Sequence, residues 1–185
     1  MTRAREWSVL VAVAVLAAAV GYGYNVRRAA PAPAAAATGG LSALMASNLR
    51  DLDQRPQSIT QWRGNVIVVN FWATWCAPCR EEIPLFVKLQ DKYGHRGLQF
   101  VGIAIDNLNQ VKPYAAELGM NFPVLIGGGD AIELARQLGN KAGVLPFTVI
   151  LNREGKIAAT EVGAMKEAKL EPLLTSLLKI TAHKR

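Results

Sequence analysis

Both cysteines of this chain lie in one segment, Asn70-Phe-Trp-Ala-Thr-Trp-Cys-Ala-Pro-Cys-Arg-Glu-Glu-Ile-Pro84, where two residues separate them. An apolar run, residues 66–69, precedes the segment, and a run compatible with a helix, residues 83–93, follows it. We therefore predict that Cys76 lies where a buried strand turns into a helix. The first turn of a helix has unpaired N–H groups and a partial positive charge, which stabilise a thiolate. The pKa of such a cysteine falls from about 8.5 to roughly 3.5–7.5, which predicts a nucleophile at neutral pH.

We expect the two cysteines to have different roles. At the helix start, Cys76 is expected to be partly exposed and to attack a disulfide of a partner, which forms a mixed disulfide. Cys79 lies one turn further along the helix, faces the protein and would resolve that intermediate. Pro78 is compatible with the first turn, because an N–H group there has no helical partner.

The pair has two other interpretations, a metal site and an inert local disulfide. Zinc prefers four ligands, and the only histidines of the chain, His95 and His183, are not at ligand spacing. An inert disulfide would make no use of a helix start flanked by tryptophans. We therefore predict a redox-active disulfide between Cys76 and Cys79, with no metal and no cofactor.

The segment resembles the active site of the thioredoxin superfamily, and more narrowly that of the TlpA/ResA-like membrane-anchored thiol-disulfide oxidoreductases of bacteria. The motifs that carry this resemblance are Val68-Val-Asn-Phe-Trp-Ala-Thr-Trp-Cys76 and Cys79-x-x-Glu-x-Pro84. Asn70 stands where ordinary thioredoxins have a buried aspartate. The similarity extends over roughly residues 49–178 and implies a thioredoxin-like α/β fold.

The resemblance also implies a site for the partner protein. Pro146, in Val144-Leu-Pro-Phe-Thr148, would be a cis-proline that faces the cysteine pair, although an ordinary loop proline is the alternative. A cis bond there would expose the backbone of Leu145, which could pair with an incoming peptide. Trp75 and Pro78 would complete this substrate-binding surface. Many relatives have Thr, Val or Ile before the proline, so Leu145 departs from their pattern.

Glu82 resembles a glutamate that the anchored family keeps near its cysteines. It lies three residues after Cys79 and therefore on the same helical face. Partial burial would raise its pKa, and its charge would raise the pKa of a nearby thiol. We hypothesise that Glu82 shuttles or tunes the proton of Cys79; the alternative is a solvated carboxylate, as expected for Glu81. We expect the Asn70 side chain to bond to backbone groups.

The remaining sequence predicts one α/β domain: a central mixed sheet flanked by helices, with an N-terminal hairpin and a βα insertion at residues 113–126 that the resemblance implies. Hairpins are predicted at residues 49–58 and 147–162, and buried strands at residues 66–72, 98–105 and 122–126. Asn109 and Asp130 are predicted to cap helices. The sequence leaves open whether Pro172 lies in the first turn of the last helix or kinks it.

The N-terminal part predicts a membrane anchor. Residues 7–24 contain no charge, and at 1.5 Å per residue they extend roughly 27 Å, close to the hydrocarbon thickness of a bilayer. A cleaved signal peptide is the alternative, since A-x-A sites occur among residues 30–36. With residues 7–24 as the anchor, the chain divides into a cytoplasmic tail (residues 1–6), an Ala/Pro-rich linker (residues 25–47) and the thioredoxin-like domain (residues 48–181).

Charge does not orient this span, because two arginines precede it and two follow it. The resemblance and the redox chemistry favour a single-pass protein of the inner membrane with its domain in the periplasm. The formal charge of the 185-residue chain is +7, but its basic residues are scattered, so we expect no nucleic-acid partner. We expect a monomer.

The leading hypothesis is a thiol-disulfide oxidoreductase that acts on protein thiols as a reductant and is itself re-reduced by a membrane electron donor. The resemblance implies partners in cytochrome c maturation or metal-site assembly. The motif does not set the direction of electron flow, so a disulfide-forming oxidant stays open. A copper-binding or copper-transfer module using the two thiolates is a second alternative, because soft sulfur ligands suit Cu(I). A redox-inert scaffold is the third.

Overall fold

The structure, a computed structural model, describes residues 33–179. Its helices and strands follow one another as α1 (Pro33–Ala46), β1 (Asn48–Asp51), β2 (Pro56–Ser58), β3 (Val66–Trp72), α2 (Ala77–Tyr93), β4 (Leu98–Ala104), α3 (Leu108–Glu117), β5 (Val124–Ile126), α4 (Asp130–Gln137), β6 (Phe147–Leu151), β7 (Ile157–Val162) and α5 (Glu167–Lys179). Short 3-10 helices occupy Ile59–Trp62 and Gly94–Arg96.

The seven strands form one mixed sheet in the order β2-β1-β5-β4-β3-β6-β7. The central strands β3, β4 and β5 are parallel, whereas the β1–β2 and β6–β7 hairpins pair antiparallel at the two ends. All seven residues of β3 are buried, as expected for a strand whose two faces are both covered. The predicted α/β architecture with an N-terminal hairpin is therefore confirmed.

Alternate residues of β3 face two different hydrophobic cores, because successive side chains of a strand point to opposite sides of the sheet. Ile67, Val69 and Phe71 pack in a cluster with residues of α1 and α4. Val66 and Val68 pack on the other side with residues of α2 and α5. The sheet therefore lies between two helical layers, and the carboxyl end of β3 leads directly to the cysteine segment.

The predicted linker is wrong over its second part, since Pro33–Ala46 forms helix α1. Leu44 is fully buried, and Leu41 and Met45 pack against the same core. Alanine is the strongest helix former, so an Ala-rich run can fold once one face finds a core to contact. Gly40 permits that contact, because a Cβ there would collide with the carbonyl of Gln137 in α4.

The predicted anchor, residues 7–24, and the first part of the linker lie outside the described residues. Within residues 33–179, no helix has both the length and the apolar character needed to cross a membrane.

Several element boundaries differ from the sequence predictions. Asn107, and not Asn109, caps α3, and its Oδ1 accepts from the N–H of Gln110 at 3.2 Å. Asp130 is the first residue of α4 and makes no capping bond to it. β5 is confined to Val124–Ile126, two residues shorter than the predicted strand. For Pro172, whose place the sequence left open, the structure shows a position inside α5 and not in its first turn. Shifts of one or two residues at the ends of elements are typical, because the terminal turns of helices fray.

Candidate active site

Cys76 lies at the junction of strand and helix, as predicted. It is the N-cap residue of α2 and forms a disulfide with Cys79. Its Sγ accepts a hydrogen bond from the backbone N–H of Cys79 at 3.3 Å. A sulfur atom thus replaces the side-chain oxygen that commonly pairs with an N–H group of the first turn. The N–H of Cys79, which has no partner within the helix, thus points at the atom that becomes a thiolate on reduction.

The two cysteines differ only slightly in exposure. Cys79 is fully buried, whereas Cys76 retains 5% of its surface, less than the partly exposed side chain that we expected. The reason is packing, because both cysteines belong to one cluster with Trp72 and Ile83, and the disulfide draws the two sulfurs together. Cys76 remains the more accessible of the two, and the neighbouring Trp75 is 68% exposed.

The loop that carries Cys76 is held by an aspartate that the sequence analysis did not identify. The backbone N–H and the Oγ1–H of Thr74 both donate to Oδ2 of Asp106, each at 2.8 Å. Asp106 follows β4, which is the parallel neighbour of β3. Its position after a buried strand was the available signal, since the carboxyl ends of parallel strands meet at one edge. Asp106 therefore orients the approach to the helix start.

The peptide bond between Leu145 and Pro146 is cis, as predicted for this bond. Pro146 directly precedes β6, whose first residue, Phe147, lies opposite Phe71 of β3 with ring centroids 5.8 Å apart. Leu145 packs against the cluster that contains both cysteines. The structure therefore brings the proline loop and the cysteine pair to the same edge of the sheet.

Glu82 is buried and lies in a network of polar side chains. It is 3% exposed, and its Oε1 accepts from Nδ2 of Asn70 at 2.8 Å. Its Oε2 accepts from the backbone N–H of Met165 at 2.9 Å. The same Nδ2 of Asn70 donates to Oγ1 of Thr148 at 3.0 Å. The interpretation of Glu82 as a solvated carboxylate is thus wrong, as is the expected bonding of the Asn70 side chain to backbone groups.

Burial raises the pKa of Glu82 to about 7, while the hydrogen bonds from Met165 and Asn70 lower it. Because its hydrogen-bond partners are neutral groups, none of them compensates the carboxylate with a full positive charge. A carboxyl group with this pKa can accept or release a proton near neutral pH. It lies one helical turn after Cys79, on the face of α2 that packs on the sheet.

The other predicted site residues lie around the same edge. Pro78 is exposed in the first turn of α2, beside the exposed Trp75. Within residues 33–179 no cluster of three or more His, Cys, Asp or Glu side chains is positioned to hold a metal ion. The arrangement suits an exchange of disulfides, with one sulfur at a helix start and a titratable acid one helical turn after its partner.

Comparison with known proteins agrees with this chemistry. The protein-family model described as Redoxin matches residues 28–177. Thiol-disulfide oxidoreductase ResA of Geobacillus thermodenitrificans is 30% identical over 131 residues, which cover 70% of this chain and 72% of that protein. ResA of Bacillus anthracis is 29% identical over 129 residues, which cover 69% of this chain and 72% of that one.

Solved structures share the fold. The thiol:disulfide interchange protein of the thioredoxin family from Chlorobium tepidum has a TM-score of 0.64 and 30% identity, with 71% of this chain and 92% of that chain covered. StoA from Bacillus subtilis, at 22% identity, has a TM-score of 0.55 with 69% and 94% covered. Together with the disulfide at the start of α2, these similarities show that the chain belongs to the Redoxin family and is a TlpA/ResA-like thiol-disulfide oxidoreductase of the thioredoxin superfamily.

Proposed function

We propose that this protein is a membrane-anchored reductant that keeps cysteine pairs of other proteins reduced outside the cytoplasm. The observation that carries the proposal is the buried carboxyl group of Glu82, three residues after Cys79 on the buried face of α2. An ionised carboxylate beside a thiol disfavours the thiolate. A dithiol whose reduced form is stabilised is an oxidant, so a group that destabilises the thiolate makes the pair more reducing.

The proposed reaction starts from the reduced protein. The thiolate of Cys76 attacks one sulfur of a partner disulfide, which forms a mixed disulfide and releases the other sulfur as a thiolate. Cys79 then gives its proton to the carboxylate of Glu82 and attacks Cys76, which releases the second partner sulfur. Two electrons pass to the partner, the Cys76–Cys79 disulfide forms, and a membrane electron donor restores the dithiol.

The surface around the pair supports a protein as the substrate. Among residues 39–179 the exposed large apolar side chains are Trp75, Val144 and Val162. Trp75 precedes Cys76, Val144 lies two residues before Pro146, and Val162 pairs with Phe147 at the start of β6. Apolar side chains gathered at one edge are typical of a protein-binding site. We propose that Trp75, Pro78, Leu145 and Pro146 contact the partner chain there.

The anchor and the compartment are also part of the proposal. The uncharged run of residues 7–24 supports a single span of the inner membrane, and a disulfide-exchange domain suits the periplasm. The resemblance to the anchored family supports partners in cytochrome c maturation or metal-site assembly.

The reduction potential tests the direction of electron flow. We expect the Cys76–Cys79 couple to equilibrate with glutathione or thioredoxin at a potential more negative than about −200 mV. A value near that of strong oxidants, about −120 mV, would contradict the reductant assignment and favour a disulfide-forming enzyme. Metal analysis of the reduced protein beside an insulin-reduction assay distinguishes a copper module, which would bind Cu(I) without turnover.

The partner can be identified by trapping. In Cys79→Ser, attack by Cys76 proceeds but resolution does not, so the mixed disulfide accumulates and its mass identifies the partner. Cys76→Ser is the matched control and should trap nothing. Equal trapping by both variants would contradict the assigned order of attack.

A further inference from the structure

The turn before the proline loop is built around a buried side chain, that of Asn140, which is 1% exposed. Its Nδ2 donates to the carbonyl of Val144 at 2.7 Å, and its Oδ1 accepts from the N–H of Val144 at 3.2 Å. Its own N–H donates to the carbonyl of Ala135 at 3.0 Å, and its carbonyl accepts from the N–H of Gly143 at 2.9 Å. The amide thus pairs with Val144 as a second peptide strand would, and every polar group of Asn140 has a partner.

This pairing decides which backbone groups near the cis-proline remain available. Both main-chain groups of Val144 bond to Asn140. Pro146 has no N–H, and its carbonyl accepts from the N–H of Gly163 at 2.8 Å. No hydrogen bond within residues 33–179 uses the main-chain N–H or carbonyl of Leu145. Leu145 is therefore the one residue of the 144–146 stretch that offers both a donor and an acceptor to another chain.

We propose that Asn140 is a positioning residue for the substrate, which sets the register of an extended partner chain at Leu145 by occupying the main chain of Val144. The inference rests on the proposed role of Leu145 and Pro146 in substrate binding. It also assigns a contact to the Val144 side chain, which is 48% exposed. Because both main-chain groups of Val144 bond to the buried Asn140, its side chain faces the partner. There it can contact an apolar residue beside the target cysteine.

Register matters because a shift of one residue between paired strands turns every side chain to the opposite face. Without the Asn140 amide, the main chain of Val144 would compete with Leu145 for the partner. A partner paired at Val144 would present the wrong side chains to Cys76. Loss of Asn140 should therefore weaken reaction with extended protein substrates, while a small disulfide that makes no main-chain pairs should react as before.

Steady-state kinetics of the full-length chain in detergent, with a small dithiol as the terminal reductant, test the inference. We compare insulin, as the protein disulfide, with 2-hydroxyethyl disulfide, as the small one. For Asn140→Ala we expect kcat/KM toward insulin to fall roughly 5–30-fold, mainly through KM, as expected when one or two hydrogen bonds are lost. The rate with the small disulfide should stay within about twofold, because reaction at Cys76 needs no main-chain pairing.

Asn152→Ala is the matched control. Oδ1 of Asn152 accepts from the N–H of Lys156 at 2.9 Å, so this change also removes an asparagine bond that shapes a turn, but at the other end of β6. The Asn152→Ala variant should reduce both substrates with unchanged kinetics. If Asn140→Ala does not fold, Asn140→Ser keeps a polar side chain in the turn but is too short to bond both main-chain groups of Val144, and it should lose part of the insulin rate.

The possible outcomes separate the two proposals. If the wild-type chain does not reduce insulin, the proposed function fails. If it does, and Asn140→Ala or Asn140→Ser lowers kcat/KM equally for both substrates, Asn140 is a structural residue only and the inference is overturned. An unchanged KM for insulin would overturn it as well. A selective loss of the protein substrate supports it.

Discussion

Glu82 should make the oxidised protein less stable as the pH rises through neutrality. The disulfide-bonded cysteines do not titrate in this state, so they add no pH dependence of their own. Burial raises the pKa of Glu82 from 4.5 to about 7 in the folded protein. At a pH below the ordinary pKa of 4.5, the carboxyl group is neutral in both folded and unfolded chains, and its contribution to stability is fully present. As the pH rises to about 7 and beyond, the unfolded chain gains from ionisation in water and that contribution is lost.

The magnitude follows from the two pKa values. One pKa unit corresponds to about 1.4 kcal/mol, so the shift of Glu82 corresponds to roughly 3 kcal/mol of unfolding free energy between about pH 4 and pH 8. Glu82→Gln removes the titration. Its amide also has a cost that does not vary with pH. Asn70 and the N–H of Met165 are both donors, so the new NH₂ group faces a donor and the folded variant loses about 1–3 kcal/mol of stability.

Urea unfolding of the oxidised full-length chain across this pH range measures the effect. The stability of Glu82→Gln relative to wild type should rise by roughly 3 kcal/mol from about pH 4 to pH 8. Glu81→Gln, at the exposed neighbouring position, should show no such trend. A difference between wild type and Glu82→Gln that stays constant within about 0.5 kcal/mol would refute the assignment of Glu82 as a buried titrating acid.

Three further substitutions test other parts of the structure. Leu44→Ala should lower the free energy of unfolding by about 2–5 kcal/mol in urea titrations, whereas a flexible linker would predict no change. Asp106→Ala leaves two donors of Thr74 unpaired and should cost about 1–3 kcal/mol in the same assay; an unchanged midpoint would show that the loop does not need it. Trp75→Ala should change stability by less than about 0.5 kcal/mol but raise KM for insulin, and an unaltered KM would show that Trp75 does not contact the protein substrate.

The Cys76–Cys79 segment was predictable because its signals are local. A continuous apolar run predicts a strand buried on both faces, and proline near a helix start needs no special context. The hairpins at the two ends of the sheet were likewise evident from turn residues between strand-like runs. The cis bond of Pro146 came from the family resemblance, since the residues alone allow an ordinary loop.

Composition was misleading where a distant contact decides the structure. Residues 33–46 have the Ala, Gly and Pro content of a linker, yet Leu44 packs in the core of the domain. Gly40 lies against Gln137 of α4, about a hundred residues later in the chain. A short helix has little stability by itself, so whether such a run folds depends on the surface that it contacts.

By itself the sequence determined the strand, the helix start and the pair of sulfurs at their junction, because backbone propensity and apolar pattern act over a few residues. Only the tertiary structure decided that Glu82 is buried and titrates near neutral pH. Its partners Asn70 and Met165 are 12 and 83 residues away, and their donors reach it only when strand, helix and loop have packed. The same holds for Asp106 at the loop of Thr74. Burial and hydrogen bonding across the fold set the pKa of an acid, and neither is encoded within one turn of helix.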